Sequence, residues 1–257
     1  IFTSSLNTPI LLMFYCFLVH CTWDSTSFWI TLALFTICAV GTIVCCYFAC
    51  SIDPIDDMCL PPEERTVDEQ PMERSEMSHC YMCKVSLRKT SKHCGECKKC
   101  VATFDHHCVW LNTCIGEKNY KYFLGLVASV QLLTICALAL DLAYFIELCK
   151  DSVAFHDRIS DTFIQIDVIG LWIIVSIMLV FLAGLVAAVA QLAGFHCMLR
   201  WRGITTYEYV VSEQRRVNDK RQAEQQAAQR RRLEEQAAAT RAAETATIAA
   251  EQEMVPV

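Results

Sequence analysis

The sequence predicts an all-α integral membrane protein, with four transmembrane helices and a cytosolic zinc-bound cysteine-rich domain between the second and third spans. The chain of 257 residues is 54% hydrophobic, yet residues 1–50 carry one formally charged side chain, Asp24. It has 17 cysteines but only 8 glycines and 6 prolines, too few turn residues for a small disulfide-bonded scaffold. A net charge of −6 argues against a nucleic-acid-binding protein, so no nucleic acid is expected as a partner.

Three apolar runs are long enough to cross a bilayer, whose hydrocarbon core of about 30 Å requires roughly 20 apolar residues in a helix. They are Phe28–Cys50, Tyr122–Ile146 and Val168–Ala190. A fourth run, Pro9–Val19, is short, and because the chain does not begin with Met we expect it to be an incomplete first span. A cleaved signal peptide is a poorer interpretation, since residues 1–20 lack a basic start and a small-residue cleavage site. The polar side chains within or at the ends of the spans are Gln131, Asp141, Gln191 and His196.

Basic residues orient these spans, because Lys and Arg are retained on the cytosolic side of a membrane. Residues 51–122 hold ten of them and residues 200–257 hold another ten, whereas residues 1–50 hold none and residues 123–199 hold two. We therefore expect the insert, the C-terminal segment and, with four spans, the N-terminus to be cytosolic. The loops that join the first span to the second and the third to the fourth are expected to be lumenal.

These predictions divide the chain into five segments. They are spans one and two at 1–50, an acidic cytosolic linker at 51–79, the cysteine-rich domain at 80–121, spans three and four with a lumenal loop at 122–199, and a cytosolic C-terminal segment at 200–257. The linker is predicted to be flexible, because it is acidic, contains prolines and has no apolar face. The last segment is predicted to be helical or disordered after about residue 212, since its Ala, Gln, Glu and Arg favour a helix but supply no apolar seam.

Seven of the cysteines lie between Cys80 and Cys114. Because disulfides are rare in the reducing cytosol, clustered cysteines there are better interpreted as metal ligands or nucleophiles. Two Cys-x2-Cys pairs, at 80/83 and 94/97, can each present two thiolates to one tetrahedral ion, for which Zn²⁺ is the usual metal. The further ligands that two such sites need can come from His93, Cys100, His106, His107, Cys108 and Cys114. Two closed sites take four of these six and leave a Cys and a His, which a purely structural zinc module does not require.

The spacing around Asp105 suggests which side chains are left. In an extended chain, residues i and i+2 project to one face and residue i+1 to the other. His106 and Cys108 can then share a face while His107 turns towards the metal. A thiol beside a base can act as a nucleophile, and Asp105 can fix the tautomer of His106 if the backbone turns there.

The insert reads Cys80-x2-Cys83-x9-His93-Cys94-x2-Cys97-x2-Cys100-x4-Asp105-His106-His107-Cys108, and continues with Trp110, Asn112, Cys114, Gly116, Asn119, Tyr120 and Phe123. Asp53-Pro54 follows the second span, and Thr205-Thr206-Tyr207-Glu208 follows the last. Over about residues 1–210 this combination resembles the DHHC zinc-finger protein S-acyltransferases, the palmitoyltransferases, whose four-span layout it also matches. It departs from that family in having Ile55 in place of a glycine after Asp-Pro and Val109 where a proline is usual.

The resemblance implies a role for each matching residue. The first of two structural zinc ions would be bound by Cys80, Cys83, His93 and Cys100. The second would be bound by Cys94, Cys97, His107 and Cys114. Cys108 would be the nucleophile that accepts the acyl group, with His106 as its base and Asp105 as the residue that orients His106. Thr206 would brace Asp105.

The implied activity is a two-step ping-pong transfer of a long-chain fatty acyl group, such as palmitoyl, from acyl-CoA through Cys108 to cysteine thiols of substrate proteins. The implied partners are acyl-CoA, membrane lipid and cytosolic-facing cysteines of membrane-associated proteins, in the endoplasmic reticulum or Golgi. Residues 84–121 carry a net charge of +5, which suits CoA phosphates and anionic lipid. The alternative is a catalytically silent membrane zinc scaffold that recruits partners, which needs none of the residues 105, 106 and 108. The order of ligands excludes a RING-type ubiquitin ligase.

Overall fold

A computed structural model describes residues 25–65, 75, 77–160 and 167–253 of the chain. This part of the chain is mostly helical, with a small module of β-hairpins inserted between two long apolar helices. Within the described residues, three helices are long and apolar enough to cross a membrane: Leu32–Ser51, Tyr120–Lys150 and Val168–Arg202. The predicted short span Pro9–Val19 lies outside the described residues.

The helices follow the apolar runs of the sequence. They are α1 Ser25–Ser51, α2 Tyr120–Lys150, the short α3 Ser152–Ser160 and α4 Val168–Arg202. Both α2 and α4 extend past the predicted span ends at residues 146 and 190, because the residues that follow are mostly good helix formers. The loop predicted between these two spans contains the helix α3. Residues 161–166, which follow α3, lie outside the described chain.

Helix α2 packs against both α1 and α4. Its contact with α1 buries Phe35, Cys38, Ala39, Leu133 and Leu140. Its contact with α3 and α4 buries Tyr144, Leu148, Phe155, Leu171 and Val175. A Cβ atom added to Gly125 would lie 2.8 Å from Cys45 Sγ, so α1 and α2 approach too closely there for a larger side chain.

Large apolar side chains cover the outer faces of the spans. Ile37 on α1 is 68% exposed, and Ile177 and Val180 on α4 are 61% and 75% exposed. Contiguous apolar surface of this kind is rare on a water-soluble monomer. It is the surface expected of helices that are solvated by lipid chains, which supports a membrane protein.

The insert between α1 and α2 is built of β-hairpins, which corrects the prediction of an all-α protein. Its three antiparallel pairs are β1 Met77–Cys80 with β2 Val85–Arg88, β3 Lys92–Cys94 with β4 Lys99–Val101, and β5 His106–Cys108 with β6 Thr113–Ile115. Strands of three or four residues are too short for the polar and apolar alternation by which a strand is recognised in a sequence. The boundary expected at residue 80 falls inside β1, which begins at Met77.

The first residues of the predicted acidic linker are bound to the hairpin module. The buried carboxylate of Asp56 accepts a hydrogen bond from Ser91 Oγ at 2.5 Å, and Asp57 pairs with Lys118 Nζ at 2.6 Å. The expected flexibility therefore does not apply to residues 53–59, because their carboxylates find partners on the basic insert. Residues 66–74 and 76 of the linker lie outside the described chain.

The end of α4 sets the position of the chain that follows. Gly203 has a φ of +67°, a left-handed conformation that a side chain with a Cβ adopts at a cost, and it closes α4 by donating its N–H to Arg200 O. Helix α5 then begins at Thr206 and continues to Glu253. The C-terminal segment is thus helical well before residue 212. From Glu208 onwards it forms a separate unit.

Asn119 joins the spans to the hairpin module. Its side chain is fully buried, at 0% exposure. Its Oδ1 accepts the Gly116 N–H at 2.9 Å, while its Nδ2 donates to Ala49 O at 3.0 Å and to Cys114 O at 2.9 Å. An amide can accept and donate at the same time, so one side chain connects the end of α1, strand β6 and the start of α2.

We predict that Asn119→Ala lowers the apparent melting temperature in detergent micelles by several degrees, measured by far-ultraviolet circular dichroism. The substitution removes the acceptor of the Gly116 N–H and the donor to two carbonyl oxygens, and a buried polar group left unsatisfied costs about 1–3 kcal/mol. Asn119→Asp should be at least as destabilising, because a carboxylate cannot donate to either carbonyl. Asn218→Ala, which alters an exposed amide on α5, is the control. The same melting temperature in all three variants would contradict the prediction.

Candidate active site and metal centres

Two groups of four side chains in the hairpin module could each hold a metal ion. In each group the three Sγ atoms and one ring nitrogen all lie within 4.8 Å of one another. The first cluster is Cys80, Cys83, His93 and Cys100, and the second cluster is Cys94, Cys97, His107 and Cys114. These are the two ligand sets that the family resemblance implies.

The geometry of both clusters is compatible with Zn²⁺. The Sγ atoms of Cys83 and Cys100 are 3.5 Å apart, and those of Cys97 and Cys114 are 3.3 Å apart. A tetrahedral zinc ion with Zn–S bonds of about 2.3 Å separates two sulfur ligands by roughly 3.8 Å, so only a slight expansion admits the ion. Three thiolates and an imidazole are also a donor set of closed structural zinc sites.

Each cluster joins two successive hairpins. In the β3–β4 hairpin His93 lies opposite Cys100, and in the β5–β6 hairpin His107 lies opposite Cys114. Each of these cross-strand pairs completes the cluster that the Cys-x2-Cys turn of the preceding hairpin begins. A metal ion in each cluster would therefore fasten one hairpin to the next, in place of the apolar core that such short strands cannot build.

The three hairpins repeat every 14 residues, a signal that the sequence analysis missed. Each unit begins with His-Cys, at residues 79–80, 93–94 and 107–108. The fourth residue after each of these cysteines has a positive φ: 57° at Lys84, 56° at Lys98 and 51° at Asn112. The third turn therefore shares this backbone feature of the two turns that contribute cysteine pairs to the clusters. However, Leu111 stands where the other two turns have their second cysteine, and helix α2 follows in place of a fourth hairpin.

Cys108 occupies the first cysteine position of this third turn and belongs to neither cluster. Its side chain is buried, at 6% exposure. Its neighbour His107 takes part in the second cluster, whereas His106 and Cys108 both pack against Phe123 of α2. The two adjacent histidines therefore lie in different surroundings: His107 in the second cluster, and His106 on the same side of the strand as Cys108.

Asp105 holds the ring of His106. This carboxylate is 3% exposed and accepts a hydrogen bond from His106 Nδ1 at 2.7 Å. The backbone N–H and the Oγ1 of Thr206 also donate to it, at 2.9 Å and 2.7 Å. Because Nδ1 must carry the proton in this bond, Nε2 is the nitrogen available to Cys108. The start of α5 thereby contributes directly to the site.

Burial and hydrogen bonding shift the pKa values of all three groups. Burial raises the pKa of Asp105, but the bonds from His106 and Thr206 outweigh it and hold that pKa below its ordinary value. Burial lowers the pKa of His106, yet its interactions with Asp105 and Cys108 raise the pKa to about 9. Burial raises the pKa of Cys108, but His106 and the N–H of Leu111 lower it below that of an ordinary thiol. These directions favour a thiolate beside an imidazolium.

Apolar side chains surround Cys108 on the side of the spans. Ile115, Phe123 and Val127 are buried against it, and Leu111, Leu124 and Ala193 pack on the same group. The next two residues of the turn, Val109 and Trp110, are 80% and 73% exposed. The thiol thus lies between an apolar surface formed by α2 and α4 and a turn that reaches outwards.

Several of the basic side chains expected to meet CoA phosphates have partners within the protein. Lys99 and Lys118 each form an ion pair with an aspartate at 2.6 Å. Lys92 and Lys121 lie 5.7 Å and 5.0 Å from the centroids of tyrosine rings. These four side chains therefore have structural roles within the protein, whatever their contribution to an anion site.

Two further residues lie at the site without a role assigned from the sequence. The rings of His196 on α4 and His106 have centroids 5.9 Å apart, and the Tyr120 hydroxyl lies 3.3 Å from His196 Nδ1. His196 was visible in the sequence only as a polar side chain near the end of a span. Only the packing of α4 against the module reveals its neighbours.

Comparison with known proteins places these features in a family. The family model described as DHHC palmitoyltransferase matches residues 73–213. The chain is similar to the probable protein S-acyltransferase 20 of Arabidopsis thaliana, with 36% identity over 159 residues that cover 59% of this chain and 21% of that protein. It is similar to the palmitoyltransferase erf2 of Emericella nidulans, with 31% identity over 105 residues that cover 40% of this chain and 16% of that protein.

A human protein is similar over a longer stretch. The probable palmitoyltransferase ZDHHC11B of Homo sapiens is 30% identical over 194 residues, which cover 64% of this chain and 52% of that protein. The matched stretches span about a fifth of the length of the Arabidopsis relative, about a sixth of the Emericella relative and about half of the human one. The family model covers both clusters, the segment 105–108 and Thr206.

Proposed function

Since this chain belongs to the DHHC palmitoyltransferase family, we propose that it is a protein S-acyltransferase that transfers long-chain acyl groups, palmitoyl among them, from acyl-CoA to cysteine thiols of other proteins. One observation carries the proposal: Cys108 is a buried thiol outside both metal clusters, beside an imidazole that a buried carboxylate orients. A catalytically silent zinc scaffold has no use for that arrangement, because the two clusters would hold its fold without it.

The reaction proceeds in two steps that exchange one thioester for another. The Cys108 thiolate attacks the carbonyl carbon of acyl-CoA, a C–S bond to Cys108 forms, the C–S bond to CoA breaks, and the proton held by His106 passes to the leaving thiolate. A substrate cysteine then gives its proton to His106 and attacks the acyl-enzyme, which releases Cys108. Because thioesters replace thioesters, catalysis requires mainly a positioned, deprotonated thiol.

The two clusters are assigned to two structural Zn²⁺ ions. Zinc bound there supplies cross-links between hairpins and takes no part at the acyl group, because three cysteines and a histidine close its coordination sphere. The second cluster bears most directly on the reaction, since its ligand His107 lies between His106 and Cys108 in strand β5. Fixing His107 also fixes the strand that presents the nucleophile.

The proposed topology has four spans, with the active site and both termini in the cytosol, in membranes of the endoplasmic reticulum or Golgi. The distribution of Lys and Arg supports this orientation. Burial of an acyl chain is worth about 0.8 kcal/mol per CH₂, so the tail remains in the bilayer while the thioester reaches Cys108. Phe123, Val127 and Ala193 support an entry for the tail from between the spans. The acceptors are cytosolic-facing cysteines of membrane-associated proteins.

The first prediction from the proposed function concerns the acyl carrier. Purified protein incubated with alkyne-tagged palmitoyl-CoA should acquire a label that hydroxylamine removes, and Cys108→Ala should abolish that label. His106→Ala should slow labelling by about 10²–10⁴-fold, the usual contribution of general acid–base catalysis. Cys149→Ala, which removes an exposed thiol from the far end of α2, should label at the wild-type rate. If Cys108→Ala labels as well as the wild type, Cys108 is not the carrier and the scaffold becomes the better interpretation.

The second prediction concerns Thr206. Thr206→Val keeps the shape of the side chain and the backbone N–H bond but removes the hydroxyl that donates to Asp105 at 2.7 Å. Loss of a hydrogen bond to a charged group costs about 1.5–3 kcal/mol, so we expect the single-turnover rate of acyl-enzyme formation to fall at least tenfold. Thr206→Ser should retain most of the rate. Equal rates in the two variants would show that the hydroxyl does not support Asp105.

The third prediction concerns the metal. Elemental analysis of the purified protein should find two zinc ions per chain, and prolonged chelation should abolish acylation because the hairpins come apart. Cys100→Ser and Cys114→Ser should each lower the zinc content to about one. Cys59→Ser is the matched control, since Cys59 lies beside Cys100 but belongs to neither cluster. A wild-type value of one zinc ion would refute the ligand assignment.

A further inference from the structure

His196 is a buried polar residue that the proposed reaction does not use. It lies on α4, six residues before the end of that helix at Arg202, and is 3% exposed. A histidine inside a membrane-spanning helix is costly to bury and is a candidate for function rather than for packing alone. Its contacts lead to the catalytic residues.

The ring of His196 contacts His106 directly and through a third ring. The centroids of the two imidazoles are 5.9 Å apart, and their planes meet at 41°. Phe123 lies edge-on to both, 4.9 Å from the His196 centroid and 5.1 Å from the His106 centroid. Side chains of α4, α2 and β5 therefore form one continuous aromatic contact.

Tyr120 holds His196 in place. Its hydroxyl shares a hydrogen bond of 3.3 Å with His196 Nδ1. Tyr120 is the first residue of α2 and follows Asn119, whose amide fastens that helix to the hairpin module. Packing alone leaves the terminal torsion of an imidazole loosely defined, and this hydrogen bond restricts it. His196 thus presents a fixed ring to His106.

We propose that His196, held by Tyr120, is a positioning residue for acyl transfer. It keeps the ring of His106 in the rotation in which Nδ1 faces Asp105 and Nε2 serves Cys108. The hydrogen bond to Asp105 fixes one atom of the His106 ring, and a ring that pivoted about that bond would carry Nε2 away from the thiol. A second contact on the ring is needed to prevent the pivot, and His196 and Phe123 supply it. This inference rests on the proposed role of Cys108.

The test measures single-turnover acyl-enzyme formation with alkyne-tagged palmitoyl-CoA for the wild type, Tyr120→Phe and His196→Ala in detergent micelles. The rate should fall about tenfold in Tyr120→Phe and about tenfold to hundredfold in His196→Ala, since a displacement of about 1 Å can cost a hundredfold. The KM for acyl-CoA and the zinc content should not change. Gln191→Leu, a polar-to-apolar change at an exposed position of the same helix, should retain the wild-type rate.

The His106→Ala background distinguishes positioning from general damage. Because His196 acts through His106, the double variant His106→Ala/His196→Ala should form the acyl-enzyme at the same rate as His106→Ala alone. A further slowing of the same size would overturn the proposal, as would a loss of zinc or of melting temperature in proportion to the rate. Tyr120→Phe removes a single oxygen atom and keeps the core intact, so it decides the question even if His196→Ala does not fold.

A second measurement separates failure of this inference from failure of the proposed function. The rate at which chloroacetamide alkylates Cys108, followed by mass spectrometry of the peptide, requires no acyl transfer. If the wild type forms no acyl-enzyme, the proposed function is wrong. Slower alkylation in Tyr120→Phe than in the wild type would still support the positioning of His106. Equal alkylation rates would refute it, whether or not the wild type transfers acyl groups.

Discussion

The position of Cys108 follows from a constraint on how the hairpins are joined. Each cluster in this module combines the turn of one hairpin with a cross-strand His–Cys pair of the next, so three hairpins can complete only two clusters. The third turn is followed by α2, which offers no such pair. Its cysteine therefore lies outside both clusters. The first hairpin has a cross-strand pair at the equivalent position, but no hairpin precedes it among the described residues to supply a cysteine turn. In this pair His79 lies opposite Ser86, with 3.5 Å between His79 Nδ1 and Ser86 Oγ.

The third turn also retains an electrostatic property of the metal-binding turns. In those turns the N–H of Cys83 and of Cys97 is directed at the sulfur three residues earlier, at 3.4 Å. The N–H of Leu111 interacts in the same way with Cys108 and helps to lower the pKa of its thiol. A backbone conformation that the two cluster turns share thus lowers the pKa of a cysteine that belongs to neither cluster. What distinguishes Cys108 is that its neighbouring imidazole, His106, belongs to neither cluster and is held by Asp105, so it can take and return a proton.

The sequence was sufficient to predict which residues form this site but not all of the contacts between them. The ligand spacing, together with the resemblance, named both clusters and the residues 105–108, because turn-forming ligand pairs are local in sequence. The hairpins were missed since their strands have three or four residues, too few to show the alternation that identifies a strand, and several of those residues belong to the Cys/His clusters. The role of Asn119 could not be assigned, because its amide bonds to Ala49, which lies far earlier in the sequence. The role of His196 could not be assigned either, because its partner Tyr120 lies on another helix. The bound start of the linker was missed for the same reason, as the partner of Asp56 is Ser91.

Under the proposed reaction, the burial of Cys108 must serve two substrates that arrive in turn. An acyl-enzyme that water reached freely would lose its acyl group before a protein thiol arrived, and the apolar contacts with Ile115, Phe123 and Val127 oppose that loss. The thiol is nevertheless only one residue from the exposed Val109 of the turn. The acyl tail can therefore remain on the side of α2 and α4 while CoA leaves and an acceptor cysteine enters on the side of the turn. Under this proposal both approach from the side of the turn, so CoA leaves before the acceptor enters, which is the order of a ping-pong mechanism.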